Sequence, residues 1–379
     1  MNEISALEML LPLLTDKKIF SASGKAHLPD LFKFNQNVNE SYILNPTCEE
    51  IVSELLASYT QMSYKNLPCR FYQISSKFRD EKRPKYGLLR SKEFIMKDLY
   101  CFDSTFESSM MTYEEVKNKY KEFFNNLGIP YVVVKGTEGD IGGLKSDEFY
   151  FMADVGDNNL VLCQKCGHKE CIEFVKLNDQ VCSNCQNGDV KIFKGIEVGH
   201  TFQIGTKYSK IFNTNYLSKD NEKIPVEMCC FGLGLTRILA ASVEVLSSFN
   251  EIRWPHSIVP YQVCLIPPKK NSIEERQGGD IVNILFNELY RTFGNDLVVD
   301  DRTSMTIGKR IQSIKELGLP FAIIIGKDII KNPPLVEVYD VYKNHSTFLQ
   351  INDLCRFIQD RIKDFNIDET ILRKNECNG

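Results

Sequence analysis

Residues 70–103, RFYQISSKFRDEKRPKYGLLRSKEFIMKDLYCFD, constrain this chain more than any other stretch. Two β-prone runs, 70–76 and 94–102, flank a polar, basic loop containing Pro84 and Gly87, which predicts a hairpin. Arg79 and Glu81 open the loop, and Arg90 closes it just before Phe94. One arginine fork can grip a carboxylate and a phosphate together. A second arginine can neutralise a polyphosphate, and an aromatic ring gives a flat base a stacking face. A hairpin with an exposed charged loop accounts for the charges but not for this order of groups.

With 379 residues, the chain is long enough for two or three domains. Its 43% hydrophobic and 25% charged residues are an ordinary globular composition. No apolar run reaches the ~18 residues of a membrane helix. The net charge is −4, and from Glu251 onward 17 Lys and Arg face 18 Asp and Glu, so any RNA contact must come from local patches. Four of the thirteen cysteines fall in two CxxC pairs and the rest are scattered, which fits a reducing compartment with a metal site. The opening MNEISALEML carries Glu3 and Glu8 and does not read as a targeting peptide.

Residues 1–37 read as short helices and turns. In NPTCEEIVSELLASYT, Thr47 with Glu50 three residues on predicts a capping-box helix start. An amphipathic helix is expected over 114–127, then strands at 131–135, 148–152, 160–162 and 226–231, and a helix at 236–246. Residues 250–260, with Trp254, Pro255 and Pro260, read as a linker. Beyond it, strands 262–266, 296–299 and 321–325 alternate with helices 273–293 and 307–317. That rhythm implies a separate α/β domain on a small, mostly parallel sheet.

Two further constellations carry chemistry. FGLGLTR, residues 231–237, runs from a strand into a helix. Gly232 and Gly234 would allow close backbone approach to a nucleotide, with Arg237 in the first turn; a tight core turn is the plainer alternative. Cys163-x2-Cys166 and Cys182-x2-Cys185 stand 15 residues apart, inside the zinc-ribbon range. Four thiolates would close a tetrahedron with no open position, a structural zinc site. His168 and Cys171 lie between the pairs as alternative ligands, and a redox pair is the runner-up.

The wording FRDE…RP…GLLR…EF-MKD-Y-FD resembles motif 2 of the class II aminoacyl-tRNA synthetases, and of prolyl-tRNA synthetase of the mitochondrial type in particular. EVGHTFQIGTKYS, EMCCFGLGLTR and RWPHSIVPYQVCLIPP resemble the same family, with Ser91 and Cys229 standing where glycines are expected. The resemblance covers roughly residues 40–350. It implies an α/β (α+β) fold: an antiparallel-sheet catalytic domain over 1–250 with a Cys-rich insertion at 160–190, a linker at 251–260, an α/β anticodon-binding domain over 261–365 and a tail at 366–379.

By that resemblance the chain activates proline with ATP and Mg²⁺ and transfers it to tRNA(Pro) for mitochondrial translation. Arg79 and Arg237 would be catalytic. Glu81, Arg90, Phe94, Gln203 and Thr206 would join them around ATP, and Thr47, Glu49, His200 and Cys230 would join Arg79 around proline. Thr47 as a helix cap and Glu49 as a solvated first-turn acid are the plainer alternatives. Arg302, Lys309, Arg310 and Glu337 would meet the tRNA, although each also reads as ordinary surface charge. The family works as a homodimer through its motif 1, and no clear motif 1 proline is found here. The chain is therefore expected to be an N-terminally incomplete or shortened form and a poor dimer. The mitochondrial matrix is expected, with the cytoplasm as alternative. The rival function is a non-catalytic, synthetase-derived RNA-binding or accessory subunit.

Overall fold

A computed structural model describes residues 1–35, 41–59, 62–136, 139, 141–172, 182, 184–186 and 190–363. The chain divides into two compact units: Met1–Phe124 with Pro130–Ala241, and Asn125–Ile129 with the chain from Ser242 onward. The tail expected at 366–379 and most of the residues between the two CxxC pairs lie outside the described residues.

The first unit opens with β1 (Leu7–Glu8), β2 (Leu14–Asp16), α1 (Lys17–Ala22), β3 (Lys33–Asn35), β4 (Ser41–Leu44) and α2 (Glu49–Ser58). Then come β5 (Cys69–Phe78), β6 (Glu93–Asp103), α3 (Phe106–Leu127), β7 (Tyr131–Lys135), β8 (Lys145–Met152), β9 (Asn158–Cys163) and β10 (Lys169–Cys171). β11 (Val190–Gly205), α4 (Lys207–Phe212), β12 (Asn215–Leu217), β13 (Lys223–Pro225), β14 (Glu227–Gly234) and α5 (Leu235–Leu246) complete the run. Nine strands form one sheet in the order β1-β5-β6-β14-β11-β8-β7-β10-β9. Its pairings are antiparallel except β1 with β5 and β10 with β7.

The predicted hairpin is the spine of this sheet. β5 and β6 pair without a register shift from Cys69↔Phe102 to Phe78↔Glu93, leaving residues 79–92 as the loop. Strand alternation then sorts β6 into two faces. Leu99 and Cys101 point one way, and Met96, Asp98 and Tyr100 the other. α3 covers the first face with aromatic side chains: Tyr113 and Tyr120 lie 5.9 and 6.3 Å from Phe231, and Phe124 stacks on Phe149 at 5.3 Å. Burying each such ring contributes roughly 1.5–3 kcal/mol. Below the other face a second core gathers Phe102, Tyr208, Tyr216, Val226 and Met228.

Three local expectations change. The capping box does not form: α2 starts at Glu49, Cys48 is its N-cap, and no side chain caps it. Glu50 cannot reach back, because its Oε1 is held by Ser23 Oγ at 2.9 Å and Lys25 Nζ at 3.1 Å. α3 begins at Phe106, eight residues before 114, because Ser108 and Thr112 there bond the buried Asp103 instead of breaking the helix. The first 37 residues also hold short strands, which two- and three-residue runs do not announce.

The second unit holds β15 (Val263–Ile266), α6 (Ile273–Phe293), β16 (Leu297–Val299), α7 (Ile307–Leu317), β17 (Phe321–Ile324), β18 (Val336–Asp340), β19 (His345–Leu349) and α8 (Ile351–Lys363). The sheet order is β16-β15-β17-β18-β19. Only β15 pairs in parallel, with β16 and β17; the β18–β19 hairpin adds an antiparallel half that the sequence reading missed. α6 and α8 pack on one face through Leu285, Leu289, Leu354 and Ile358, and α7 on the other through Ile314. The expected linker is docked within this unit. Trp254 Nε1 donates to Leu317 O at 2.9 Å, its N–H donates to Tyr342 Oη at 2.9 Å, and Pro255 and Val259 are buried.

Candidate active site and metal centre

The face of β6 away from α3 floors a cavity of about 240 Å³. Thr47 and Glu49 from the start of α2 line it, with Arg79 at the end of β5 and Phe94, Met96, Asp98 and Tyr100 from β6. Glu197, His200 and Phe202 of β11 and Cys230, Gly232 and Arg237 complete it. A second cavity of about 290 Å³ adjoins it, sharing Arg79, Leu89, Glu197 and Arg237 and adding Glu81, Lys85, Arg90 and Asp157.

Glu49 is only 2% exposed, and its Oε2 has no partner among the described residues. An acceptor buried without a donor is costly. The charge of Lys25 and the Cys230 thiol are the protein's own groups that act on this carboxylate. Tyr100 fixes the segment that presents it. The Tyr100 hydroxyl accepts the Cys48 N–H at 2.8 Å and donates to Asp98 Oδ2 at 2.8 Å, while Lys77 Nζ lies 2.9 Å from Asp98 Oδ1.

Arg79 stands between charge and ring. Its guanidinium lies 5.2 Å from the centre of the Phe94 ring. Burial and then the charge of Arg237 lower its pKa, partly offset by Glu197, Asp30 and Glu49. Among the described residues no carboxylate lies within ion-pairing distance of Arg79. Arg237 is held by Leu89 O at 2.9 Å and Glu197 O at 3.1 Å.

β11 bulges between Glu197 and Gly199, where its register against β8 shifts. The bulge breaks the period of two and turns Glu197 and His200, three residues apart, to the same cavity. His200 Nδ1 lies 3.4 Å from Glu197 Oε1, its Nε2 lies 2.8 Å from Ser146 Oγ, and its ring stacks on Phe202 at 3.8 Å. Burial acts against the charge on Glu197. The His200 hydrogen bond, with the charges of His200, Arg237 and Arg79, outweighs it and brings the carboxyl down to about 2.

The cavities therefore bring together Thr47, Glu49, Arg79, Phe94, His200, Cys230 and Arg237, with Glu81 and Arg90 alongside. Cys230 is 3% exposed, and burial holds its thiol well above the ordinary range. Gln203 and Thr206 are not brought in. Gln203 is fully buried on the α3 side, where its Nε2 donates to Ser109 Oγ at 3.0 Å; strand alternation sends it away from His200's neighbour Phe202. Thr206 is the N-cap of α4 and lines neither cavity. Asp98, Tyr100, Glu197 and Asp157 were not singled out in the sequence. Stepping by two from Phe94 would have found Met96, Asp98 and Tyr100; nothing in the sequence announces the bulge at Glu197.

The four cysteines Cys163, Cys166, Cys182 and Cys185 converge, with all sulfurs within 4.8 Å of one another. Cys163 and Cys185 stand 3.7 Å apart, and Cys166 and Cys182 3.6 Å. Tetrahedral zinc with ~2.3 Å bonds to sulfur needs sulfurs about 3.8 Å apart, so this donor set fits the ion. Neither alternative ligand joins them: His168 faces Glu170 at 3.6 Å, and Cys171 Sγ lies 3.4 Å from Glu148 Oε2.

In the second unit Arg302 and Lys309 are exposed, and Arg302 grips Asp300 with two bonds of 3.0 and 2.7 Å. Arg310 departs from the surface role expected of it. It is fully buried, donates to Asp300 O at 3.3 Å and braces the start of α7 from inside. Glu337 is half-buried on β18 and accepts from Ser346 Oγ at 2.6 Å.

Residues 32–246 match the family model "tRNA synthetase class II core domain (G, H, P, S and T)", and residues 262–361 match "Anticodon binding domain". A protein of Rattus norvegicus named as a probable mitochondrial proline–tRNA ligase is 41% identical over 354 residues, 92% of this chain and 74% of that protein. A proline–tRNA ligase of Ehrlichia ruminantium is 35% identical, covering 89% of this chain and 80% of its own length. Among solved structures, prolyl-tRNA synthetase of Cryptosporidium parvum complexed with L-proline and AMP aligns with a TM-score of 0.78. At 17% identity, over 100% of this chain and 69% of that one, it speaks for the fold.

Proposed function

We infer that this chain, which belongs to the proline–tRNA ligase family of class II aminoacyl-tRNA synthetases, activates proline with ATP and transfers the prolyl group to tRNA. The observation that carries the reading at this site is the buried, unpaired Glu49 oxygen, in one cavity with Arg79 and Arg237. Proline's secondary ammonium would meet Glu49, with Thr47, His200 and Cys230 around the ring. Its carboxylate would meet Arg79, whose fork can also reach the α-phosphate. The base would stack on Phe94, and Glu81, Arg90 and Arg237 would face the rest of the nucleotide.

A carboxylate oxygen of proline then attacks the α-phosphorus in line; the bond to the pyrophosphate oxygen breaks, and the prolyl-adenylate forms. The terminal tRNA hydroxyl next attacks the acyl carbon, giving up its proton, and AMP leaves. The chain's contribution is positioning and preorganised charge, with no covalent enzyme intermediate. Mg²⁺ supplies charge neutralisation at the polyphosphate when bound. Glu197, ionised and open to both cavities, is the oxygen donor that fits such a hard cation. Zinc in the four-cysteine group would be structural. A homodimer like the family's would cover Leu7, Leu10 and Leu14, which are exposed around the edge strand β1. Light scattering decides it, and a monomer would favour the poor dimer expected from the sequence.

The relatives named as mitochondrial support a mitochondrial location; within it the matrix is the compartment expected, and imaging of a tagged full-length protein would test it. The central experiment is ATP–pyrophosphate exchange. Exchange that needs proline supports the reading; none with proline, or a stronger response to another amino acid, overturns it.

A further inference from the structure

The wall of the second cavity carries a charge arrangement that the activation chemistry leaves unexplained. Lys85 and Arg90 come from the 79–92 loop, and Asp157 from the turn between β8 and β9. Arg90 Nη1 lies 2.8 Å from Asp157 Oδ2, and Lys85 Nζ pairs with Asp157 Oδ1. Arg90 Nε lies 2.8 Å from Glu81 Oε2. Both loop cations are therefore already committed to carboxylates at the place where a polyphosphate would want them.

The two sides of this contact differ in stiffness. Gly156 packs so close to β11 that an added Cβ would lie 2.3 Å from Gly195 O, and β9 is laddered to β11 from Asn158↔Gly195 onward. Asp157 is thus fixed to the same strand that carries Glu197. The loop is not: residues 82–88 are exposed, and besides the Lys85–Arg90 bridge its middle is tied by Arg237 to Leu89 O. Half-exposed ion pairs are individually weak, so they exchange readily for a polyphosphate, which offers several charged oxygens in bidentate geometry.

We propose that Asp157 is a placeholder for the nucleotide's phosphates: it holds Lys85 and Arg90, and with them the loop, until ATP takes both cations over. It is a positioning residue, since it acts on ATP through Lys85 and Arg90. The inference rests on reading this cavity as the nucleotide site. Asp157→Asn keeps the shape and removes the competing charge. In proline-dependent exchange its KM for ATP should fall at least threefold, while its KM for proline stays within twofold of wild type. A purely structural residue would move both or neither.

A second readout does not depend on activity. Trypsin should cut the loop at Lys82 and Lys85 several-fold faster in nucleotide-free Asp157→Asn than in wild type, and ATP should restore protection. Lys85→Gln, which breaks the same contact from the exposed side and leaves the core untouched, should speed cleavage at Lys82 in the same way. An ATP KM that is unchanged or raised, or equal cleavage of wild type and variants without nucleotide, overturns the placeholder. Wild type that shows no proline-dependent exchange is instead a failure of the functional reading, and the cleavage comparison then still judges the contact by itself.

Discussion

A buried carboxylate with one unpaired oxygen is the residue-level fact on which amino-acid choice turns. Glu49→Gln keeps the volume and removes the charge that would meet a secondary ammonium. Proline kcat/KM should drop about 10- to 100-fold, as for loss of about 1.5–3 kcal/mol in a hydrogen bond to a charged group, while the KM for ATP hardly moves. Equal kinetics in the variant would return Glu49 to a structural role. Arg79 makes the complementary case. Arg237 repels it and no described carboxylate pairs with it, so its place is not explained by stability. Arg79→Ala should cost roughly 100- to 1,000-fold in exchange, the size of one lost transition-state donor, without lowering Tm. Near-normal exchange would remove Arg79 from the chemistry. Most of this site was legible as residue types in order: Thr47, Glu49, Arg79, Phe94, His200 and Arg237 all line one cavity. Gln203 was not, because adjacency in a motif says nothing about which face of a strand a side chain takes. Glu197 was not either, because its orientation comes from a bulge set by β8.

Elements set the environment in which those residues titrate. Lys97 lies on the α3 face of β6, 4% exposed, donating to Tyr120 Oη at 2.6 Å. Burial lowers its pKa to about 7, against the pull of Asp98, Cys101 and Cys230. A base whose folded value lies below its unfolded 10.5 binds more protons when unfolded between those limits. Stability must then rise with pH across that window, by about 1.4 kcal/mol per pH unit at most. The Tm of wild type relative to Lys97→Met should climb from pH 7 to pH 10 and level off outside it; a flat difference would mean Lys97 stays charged. At the same scale, β9 and the turn after it deliver Cys163 and Cys166 to the four-cysteine group that could hold a metal ion. Metal analysis should find about one zinc per chain, and chelation should lower Tm before it alters proline selectivity. Metal-free protein with four freely titrating thiols would refute the centre. The spacing of the cysteines was readable because a closed tetrahedron tolerates few spacings. The start of α2 was misread because Glu50's partners, Ser23 and Lys25, are 27 and 25 residues away.

For the molecule as a whole, if the exposed cations of the second unit meet the tRNA, activation and tRNA recognition draw on different parts of the chain and variants should separate them. Every residue lining the two cavities belongs to the first unit, whereas the exposed cations Arg302 and Lys309 belong to the second. If they hold phosphates, they position the RNA without reading sequence. Arg302→Ala and Lys309→Ala should then raise the KM for tRNA in aminoacylation and leave proline-dependent exchange unchanged. Each lost phosphate contact should also flatten the dependence of log affinity on log salt by about 0.7–0.9. Arg302 already spends its fork on Asp300, so Lys309→Ala should show the larger effect. Arg310 makes the control. With its guanidinium buried and two of its nitrogens unpaired, Arg310→Ala removes an internal brace, and it should lower Tm rather than change the salt slope. The three cationic neighbours look interchangeable in DDRTSMTIGKR, since helical phase alone decides which of Lys309 and Arg310 faces inward. An Arg310→Ala protein of undiminished Tm with a flattened salt slope would reverse that assignment and return Arg310 to the tRNA.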